Sequence, residues 1–317
     1  MPRTPKISVV VPSFNQGRFI RNTLQSIIDQ NYQNVEIIVM DGGSTDDTVE
    51  ILKCYGDKVS WVSRPDGGQT NALIEGFQKC SGEYMCWLNS DDVMCNNSLW
   101  EVRQHAGTEP DIIYGSGHYM DISGIWIKEY PTVKISADYP AEQAFFETGY
   151  VPQPSVYFRR EAYNMIGGLN PKRDLCMDYD LWARFSKKNL KWIYVDKDLS
   201  GNRWYETTKT VSRQLDLLSE VIATQIENFS RVSDFHVQAL SDYLYSILHS
   251  RHFGDDDHLV VRNLMFKSLW VSLNYRTPGR AIEGLLNANI APAGPLEGRR
   301  MATEDFLKEV VRRFAAS

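Results

Sequence analysis

The chain has 317 residues, of which 43% are hydrophobic and 23% are charged. This composition is typical of a globular protein and excludes a disordered chain, and the length allows one large core and a second, smaller one. The 34 basic and 40 acidic residues give a formal net charge of −6. That balance does not support nucleic acid as a partner, although it leaves a local basic patch open.

The cysteine pattern and the apolar runs indicate the compartment. The cysteines form no CxxC pair and no regular ladder, so we expect neither a zinc framework nor a disulfide framework. The apolar run near Met1 is too short for the core of a signal peptide, and no window approaches the roughly 18 apolar residues of a membrane span. The sequence therefore predicts a cytoplasmic protein, soluble or peripheral at the inner face of a membrane. The cysteines are Cys54, Cys80, Cys86, Cys95 and Cys176.

Up to about residue 106, short apolar segments alternate with amphipathic helical patterns. ISVVV (7–11) is rich in β-branched residues, as expected for a strand buried on both faces. RFIRNTLQSIIDQ (18–30) then brings most of its apolar residues to one helical face. Repeated β–α units predict an α/β fold with a mostly parallel sheet flanked by helices. The later segments are strands at 35–40, 59–63 and 83–88 and helices at 48–52, 70–77 and 96–106.

Beyond residue 106 the regular alternation ends, and beyond about 206 the sequence is mainly helical. We therefore expect a first domain at 1–206, with halves at 1–106 and 107–206, and a helical C-terminal region at 207–317. The expected elements are a hairpin at 111–130, a strand and short helix at 153–169, a helix at 178–189, a strand at 191–199, and helices at 208–229, 233–251 and 257–274.

Polar and acidic residues follow each of the first four strands. These strands end in PSFN, DGGS, RPDGG and NSDD, and ligands of open α/β sheets bind outside the carboxyl ends of the strands. Asp91, Asp92 and the Asn89 amide supply hard oxygen atoms of the kind that Mg²⁺ or Mn²⁺ prefers. Asp41 is placed to accept a hydrogen bond from a base or a ribose. For Asp92 the alternative is the N-cap of the next helix.

The motifs in this order resemble the amino-terminal signature of family 2 glycosyltransferases with the GT-A fold. The segment 8–52 carries the first two motifs, NSDD stands where the family has its acidic DxD-type motif, and the resemblance covers roughly residues 6–205. It implies a nucleotide-sugar donor, with Asp41 binding the base, uracil if the donor is a UDP-sugar, and Asp91 binding the metal. The donor-binding positions that it implies are Pro12, Ser13, Phe14, Asn15, Asp41, Asp66, Gln69, Asn89, Ser90 and Arg203.

One position departs from the family pattern. The first acid of the DxD-type motif is Asn89 here, which leaves the strength of the metal requirement open. The alternative function is a catalytically degenerate GT-A domain that serves as a nucleotide-sugar-binding or scaffold module. Arg203 also has an alternative, because the segment SGNRWYETTKT that contains it is as typical of a solvated loop as of a cover over the donor.

The catalytic base is expected in CMDYDLW. An inverting transfer needs one carboxylate that takes the proton of the acceptor hydroxyl, whereas a glycosidase needs two carboxylates flanking the bond. The resemblance assigns the base to Asp178. Asp180 points elsewhere on the helix, and we interpret it as a helix-terminal acid that interacts with the helix dipole.

The remaining expectations concern partners. The function expected is transfer of a sugar to an acceptor hydroxyl on a surface glycan or a lipid-linked glycan. A dinucleotide-dependent oxidoreductase would need GxGxxG after the first strand, and that motif is missing. Trp126 and Trp204 are candidates for stacking on a sugar ring. The helix pattern VVRNLMFKSLWVSLNYR (260–276) favours a core-facing or homo-oligomeric contact over a membrane surface.

Overall fold

The structure is a computed structural model that describes residues 4–206, 208–252, 266, 269, 270 and 274. The chain divides into two compact units. The first contains residues within 1–145 and 149–211, and the second contains residues 146–148 and residues from 212 onward. The helix expected at 257–274 lies outside the described residues, apart from four positions.

The first unit is built on a nine-stranded sheet with the strand order β3-β2-β1-β4-β8-β6-β9-β5, and β7 pairs with β6. The strands from β3 to β4 are parallel, as are β6 and β9, and the other pairs are antiparallel. The α/β fold with a mixed, mostly parallel sheet is therefore confirmed. The strands are β1 (Ile7–Ser13), β2 (Val35–Asp41), β3 (Ser60–Ser63), β4 (Tyr84–Trp87), β5 (Val93–Met94), β6 (Ile112–Met120), β7 (Trp126–Glu129), β8 (Val156–Arg159) and β9 (Trp192–Arg203).

The parallel part of the sheet brings strand ends together at one edge. Ser13 at the end of β1 pairs in register with Asp41 at the end of β2, and Asp41 pairs with Ser63 at the end of β3. All seven residues of β1 are buried, as its continuous β-branched run predicts for a strand covered on both faces. The loops after these strands therefore start side by side.

Helices cover the sheet with their apolar faces. In the first helix the buried residues Ile20, Leu24 and Ile27 recur at helical spacing and join the core formed by the β1 valines. In the third helix Gly76 allows a close approach to the sheet, because a Cβ there would lie 2.5 Å from Val10 Cγ1. The helices that begin in this unit are α1 (Ile20–Ile28), α2 (Thr48–Lys53), α3 (Gln69–Lys79), α4 (Ser98–Ala106), α5 (Ala141–Glu147), α6 (Arg160–Met165), α7 (Met177–Ser186) and α8 (Lys209–Ser212). The last residues of α5 and of α8 belong to the second unit.

The second part of the sheet shows where sequence patterns were insufficient. The predicted hairpin at 111–130 is present as β6 and β7. The last strand runs to Arg203 instead of ending near Leu199, and a two-residue strand, β5, pairs with it. Because β5 intervenes, α4 begins only at Ser98, so the interpretation of Asp92 as the N-cap of that helix is wrong.

The second unit contains two helices, α9 (Gln214–Phe229) and α10 (Asp234–His252). Ser230 adopts a left-handed conformation and ends α9, which lets the chain turn back into α10. Ile222 of α9 packs with Val237, Leu240 and Leu244 of α10 in a small apolar cluster. Among the described residues, no helix combines the length and the apolar character needed to cross a membrane.

A buried polar network connects the two helices of this unit. Gln225 Oε1 accepts the Ser233 amide at 2.8 Å, and the Ser233 hydroxyl lies 2.8 Å from His236 Nδ1. Burial lowers the pKa of His236 from its ordinary 6.5 to about 4, because an imidazolium would lose its hydration there. The imidazole is therefore neutral in the folded chain at neutral pH.

Candidate active site

The loops that follow β1 to β4 surround a cavity of about 640 Å³. Phe14 is 60% exposed and presents its ring at the cavity wall. Ten of the twelve side chains predicted for the site line this cavity, and Asn15 and Asp41 do not. The ten are Pro12, Ser13, Phe14, Asp66, Gln69, Asn89, Ser90, Asp91, Asp178 and Arg203.

Asp41 and Asn15 hold the loops after β1 and β2 in place through hydrogen bonds. Asp41 is 2% exposed and accepts hydrogen bonds from the Ser44 amide (2.9 Å) and from the Ser63 hydroxyl (2.6 Å). Asn15 Oδ1 accepts the Thr45 amide at 2.9 Å. The neighbouring Gly42 does line the cavity. A direct contact of Asp41 with a base therefore remains a prediction, and in this structure its carboxylate is engaged by the adjacent loops.

Asp91 and Asp92 form an acid pair at the floor of the cavity. Asp91 Oδ2 accepts a hydrogen bond from the Tyr205 hydroxyl at 2.8 Å. Asp92 is buried, and its Oδ1 accepts the Arg203 amide at 2.8 Å. Burial raises the pKa of Asp91, and burial together with the charge of Asp91 raises the pKa of Asp92 well above its usual range. Proximity to a cation would reverse these shifts.

Asn89 connects the acid pair to two further side chains. Its Nδ2 donates to Asp92 Oδ2 at 3.1 Å and to Gln153 Oε1 at 3.3 Å, and its Oδ1 accepts Gln69 Nε2 at 2.9 Å. The amide thus donates to one member of the acid pair, which a carboxylate at this position could not do. The substitution in the DxD-type motif therefore has a local structural use.

Arg203 is the cation closest to the acid pair, but its guanidinium is engaged by main-chain oxygens. Its Nε donates to the Asp91 carbonyl at 2.8 Å, and its Nη1 donates to the carbonyls of Asp121 (3.1 Å) and Ile122 (2.9 Å). The guanidinium also lies 4.8 Å from the centre of the Phe19 ring. These contacts fix the end of β9 against the acid pair. Contact of Arg203 with a diphosphate stays a prediction.

Asp178 lies in the first turn of α7, at the wall of the cavity that faces the β6–β7 hairpin. Its Oδ1 accepts the Tyr179 amide at 2.8 Å. Its charge contributes to the raised pKa of Tyr130, for which burial is the main cause, so these two side chains are neighbours. The structure therefore brings Asp178 and Asp91 to the same cavity.

Asp180 belongs to the structural support of this helix. It is 1% exposed, and Arg184 Nε donates to its Oδ2 at 2.8 Å. Arg184 also donates to the carbonyls of Ile166 (3.1 Å) and Gly168 (2.7 Å). Asp180 lies in the first turn of α7, as the interpretation of a helix-terminal acid expects, and its side chain is in addition buried in an ion pair. The spacing of four residues was the signal for this pair.

Sequence reasoning missed several residues that line the cavity. Tyr119 stacks on Tyr130, with ring centroids 4.9 Å apart, and Trp204 meets Tyr119 edge-on at 5.3 Å. Trp204 was expected near a sugar, whereas Trp126 lies 57% exposed on β7 and does not line the cavity. Asp174 and Lys209 form an ion pair of 3.1 Å at the rim. Only the hairpin pairing, which no short motif specifies, brings the tyrosines to this cavity.

The charged residues around the cavity favour the binding of a metal ion. Among the described lining residues there are five carboxylates, from Asp66, Asp91, Asp92, Asp174 and Asp178, and two cations, from Arg203 and Lys209. Both cations already have oxygen partners. An anionic diphosphate therefore needs a further positive charge to bind here. The carboxylates of Asp91 and Asp92 and the Asn89 oxygen are the hard donors that suit Mg²⁺ or Mn²⁺, so the residues fit such an ion.

Comparison with known proteins agrees with the geometry. The family model described as glycosyl transferase family 2 matches residues 8–167. An uncharacterized glycosyltransferase of Rickettsia prowazekii is 27% identical over 226 residues, which cover 67% of this chain and 69% of the relative.

Two solved structures share the fold. A structure of S. aureus TarS in complex with UDP-GlcNAc is similar, with a TM-score of 0.58 and 15% identity over 98% of this chain and 89% of that one. A mannosyltransferase from Pyrobaculum calidifontis in complex with GDP-Man and Mn²⁺ is similar as well, with a TM-score of 0.58 and 16% identity over 90% of this chain and 86% of that one. The family match, the relative and the shared fold together show that this chain belongs to family 2 of the glycosyltransferases.

Proposed function

We propose that this chain is an inverting, metal-assisted glycosyltransferase that moves a sugar from a nucleotide-sugar donor to an acceptor hydroxyl. The donor that we propose is a UDP-sugar. The observation that carries the proposal is that Asp91 and Asp178 line one cavity of about 640 Å³. That volume lies within the usual range for a small-molecule site. The domain organisation proposed with it is a transferase domain at 1–206 and a helical region at 207–317.

The roles of the two aspartates follow from their surroundings. A divalent cation, when bound through Asp91, would offset the charge of the donor diphosphate and of the departing nucleoside diphosphate. Asp178 takes the proton of the acceptor hydroxyl while the acceptor oxygen bonds to the anomeric carbon. The bond from that carbon to the phosphate oxygen breaks on the opposite face. One base suffices, since the leaving group departs as a stabilised anion.

The acceptor side is proposed from the aromatic wall. Tyr119, Tyr130 and Trp204 line the part of the cavity beyond Asp178, and flat apolar rings suit the faces of a sugar. A surface glycan or a lipid-linked glycan is the acceptor class that this wall supports. Contact with the inner face of a membrane and self-association through the C-terminal helices are further parts of the proposal.

The donor is tested first. Wild-type protein is titrated calorimetrically with UDP and GDP, with Mn²⁺ and with EDTA, and a panel of nucleotide sugars is scored by hydrolysis. We expect one nucleotide to bind with Mn²⁺ and to bind at least tenfold more weakly in EDTA. The variant Asp91→Asn should bind like the wild type in EDTA but gain little from Mn²⁺. Equal affinity with and without chelator would remove the metal from the proposal.

The base is tested separately. Asp178→Asn should lower kcat by about 10²- to 10⁴-fold, the usual contribution of a general base, while nucleotide affinity changes less than twofold. Asp57→Asn, at an exposed position away from the cavity, is the matched control and should keep full activity. Retained turnover in Asp178→Asn would contradict the assigned base. If no nucleotide binds to the wild type at all, the chain is a degenerate module.

A further inference from the structure

A second cluster of metal-binding side chains lies outside the cavity. Cys95, His118 and Asp198 each place one ligand atom within 4.8 Å of the others. None of the three lines the cavity. His118 precedes Tyr119, which does line it, and successive residues of a strand point to opposite faces of the sheet. The cluster therefore belongs to the face of the sheet opposite the donor.

The sheet holds the three side chains in place through its main chain. The Cys95 amide donates to the Leu199 carbonyl at 3.0 Å, which fixes the loop after β5 beside β9. His118 of β6 pairs with Gly201 of β9. The pairing of β6 with β9 shifts register on both sides of Ser116, so that the chain bulges near Asp198. Bulges of this kind turn a side chain in a new direction.

The glycine in β9 gives the histidine ring its space. A Cβ at Gly201 would lie 2.8 Å from His118 Nε2 and 3.0 Å from Val93 Cγ2, so a larger residue would displace the ring. The other ring nitrogen, Nδ1, lies 2.6 Å from Asp198 Oδ2. The ring is thus held with Nδ1 towards the carboxylate. Asp198 has 44% of its side chain exposed, which leaves the cluster open to an ion from solvent.

We propose that Cys95, His118 and Asp198 bind Zn²⁺, with water as the fourth ligand. Sulfur, imidazole nitrogen and one carboxylate form a donor set that suits Zn²⁺ and differs from the oxygen donors at Asp91. Tetrahedral coordination with ordinary bond lengths needs about 3.3 Å between the nitrogen and oxygen ligands and about 3.6 Å from sulfur to nitrogen. The His118–Asp198 distance of 2.6 Å must then widen by about 0.7 Å, which side-chain rotation can supply.

The bound ion would tie together three segments that are distant in sequence. The loop at Cys95 follows the acid pair by only a few residues, while His118 and Asp198 belong to the neighbouring strands β6 and β9. On binding, the Cys95 thiol releases its proton to solvent and ligates as the thiolate. We expect the ion to stabilise this part of the sheet, and the site to fill independently of nucleotide.

Cobalt titration of the full-length, metal-stripped protein tests the proposal, because Co²⁺ replaces Zn²⁺ and gives a thiolate-to-metal absorption band only when sulfur is a ligand. We expect one equivalent of Co²⁺ with this band in the wild type, and loss of the band when Zn²⁺ is added. Cys95→Ser should abolish the band, and Asp198→Asn should weaken Co²⁺ binding at least tenfold. The matched controls Cys54→Ser and Asp196→Asn, both at exposed positions, should bind like the wild type.

Thermal unfolding provides the second measurement. Zn²⁺ at about 100 times the wild-type Kd should favour the folded state about 100-fold in the wild type and in Asp91→Asn, but about tenfold or less in Asp198→Asn. Because Asp198 is partly exposed, that variant is expected to fold, and its metal-free melting temperature checks this. The proposal would be overturned if the wild type lacked the thiolate band, or if the Zn²⁺ effect on unfolding disappeared only in Asp91→Asn. His118 and Asp198 would then be a hydrogen-bonded pair without a metal.

Discussion

Replacing Asp180 by Asn tests how the helix that carries Asp178 is held in place. The Asp180 side chain is 1% exposed, and Arg184 Nη2, on a side chain that is 21% exposed, lies 2.7 Å from its Oδ2. Asn keeps the shape but removes the negative charge, so Arg184 is left without a counter-ion. Breaking a buried pair from one side costs about 3–5 kcal/mol. Because Arg184 keeps two carbonyl partners and some contact with water, we expect a loss of about 3 kcal/mol.

Urea unfolding followed by tryptophan fluorescence measures this loss, since Trp182 of α7 stacks on Trp87 with ring centroids 5.6 Å apart. For an m-value of about 3 kcal/mol per M, the midpoint should fall by about 1 M. The double variant Asp180→Leu/Arg184→Met is the matched control and should lie within about 1 kcal/mol of the wild type, because it leaves no unpaired charge. A single variant as stable as the wild type, or a double variant less stable than the single one, would refute the reasoning.

Three further predictions follow from other contacts. Since His236 has its pKa lowered to about 4 and an unfolded histidine titrates near 6.5, its contribution of about 3 kcal/mol is complete above pH 6.5 and is lost as the pH falls towards 4. The hydrogen-exchange protection factors of α9 and α10, which correct for the slower intrinsic exchange at lower pH, should fall over that range in the wild type but not in His236→Gln. Asn89→Asp replaces a hydrogen-bond donor by an acceptor beside Asp92, so the melting temperature should fall without metal and recover with Mn²⁺. A melting temperature in EDTA equal to that of the wild type would contradict this. Gly76→Ala places a Cβ 2.5 Å from Val10 and should lower the free energy of unfolding in urea by about 1–2 kcal/mol. The control Gly107→Ala, where a Cβ meets nothing within 4 Å, should not destabilise the chain.

The sequence was sufficient for the parallel part of the sheet formed by β1 to β4. The β-branched run of β1 has all of its residues buried, and parallel pairing in register then brings Ser13, Asp41 and Ser63 to one edge. The positions of these residues directly after the strands therefore predicted a common cavity for most of the residues expected to bind the donor. It did not predict the orientation of Asp41, because the hydrogen bonds from Ser44 and Ser63 that engage its carboxylate depend on loop conformation.

The second part of the sheet was less predictable because its contacts are long-range. Strand β5 has only two residues, too few for any periodic pattern, and yet it separates the buried Asp92 from α4, whose N-cap is Asn97. Likewise, the pairing of Tyr119 with Tyr130 depends on the register of a hairpin, and Cys95, His118 and Asp198 come together only through bulges between β6 and β9. Local spacing carries no information on contacts of this kind.

Arg203 joins the acid pair to the β6–β7 hairpin. Its amide and Nε hold the acid pair, while its Nη1 holds the tip of the β6–β7 hairpin through two carbonyls. A change of length or shape in that hairpin would pull on Arg203, whose Nε donates to the Asp91 carbonyl and whose amide donates to the Asp92 carboxylate. Variation in the hairpin is therefore constrained by the acid pair, and insertions there should be tolerated only where the carbonyls of Asp121 and Ile122 keep their positions.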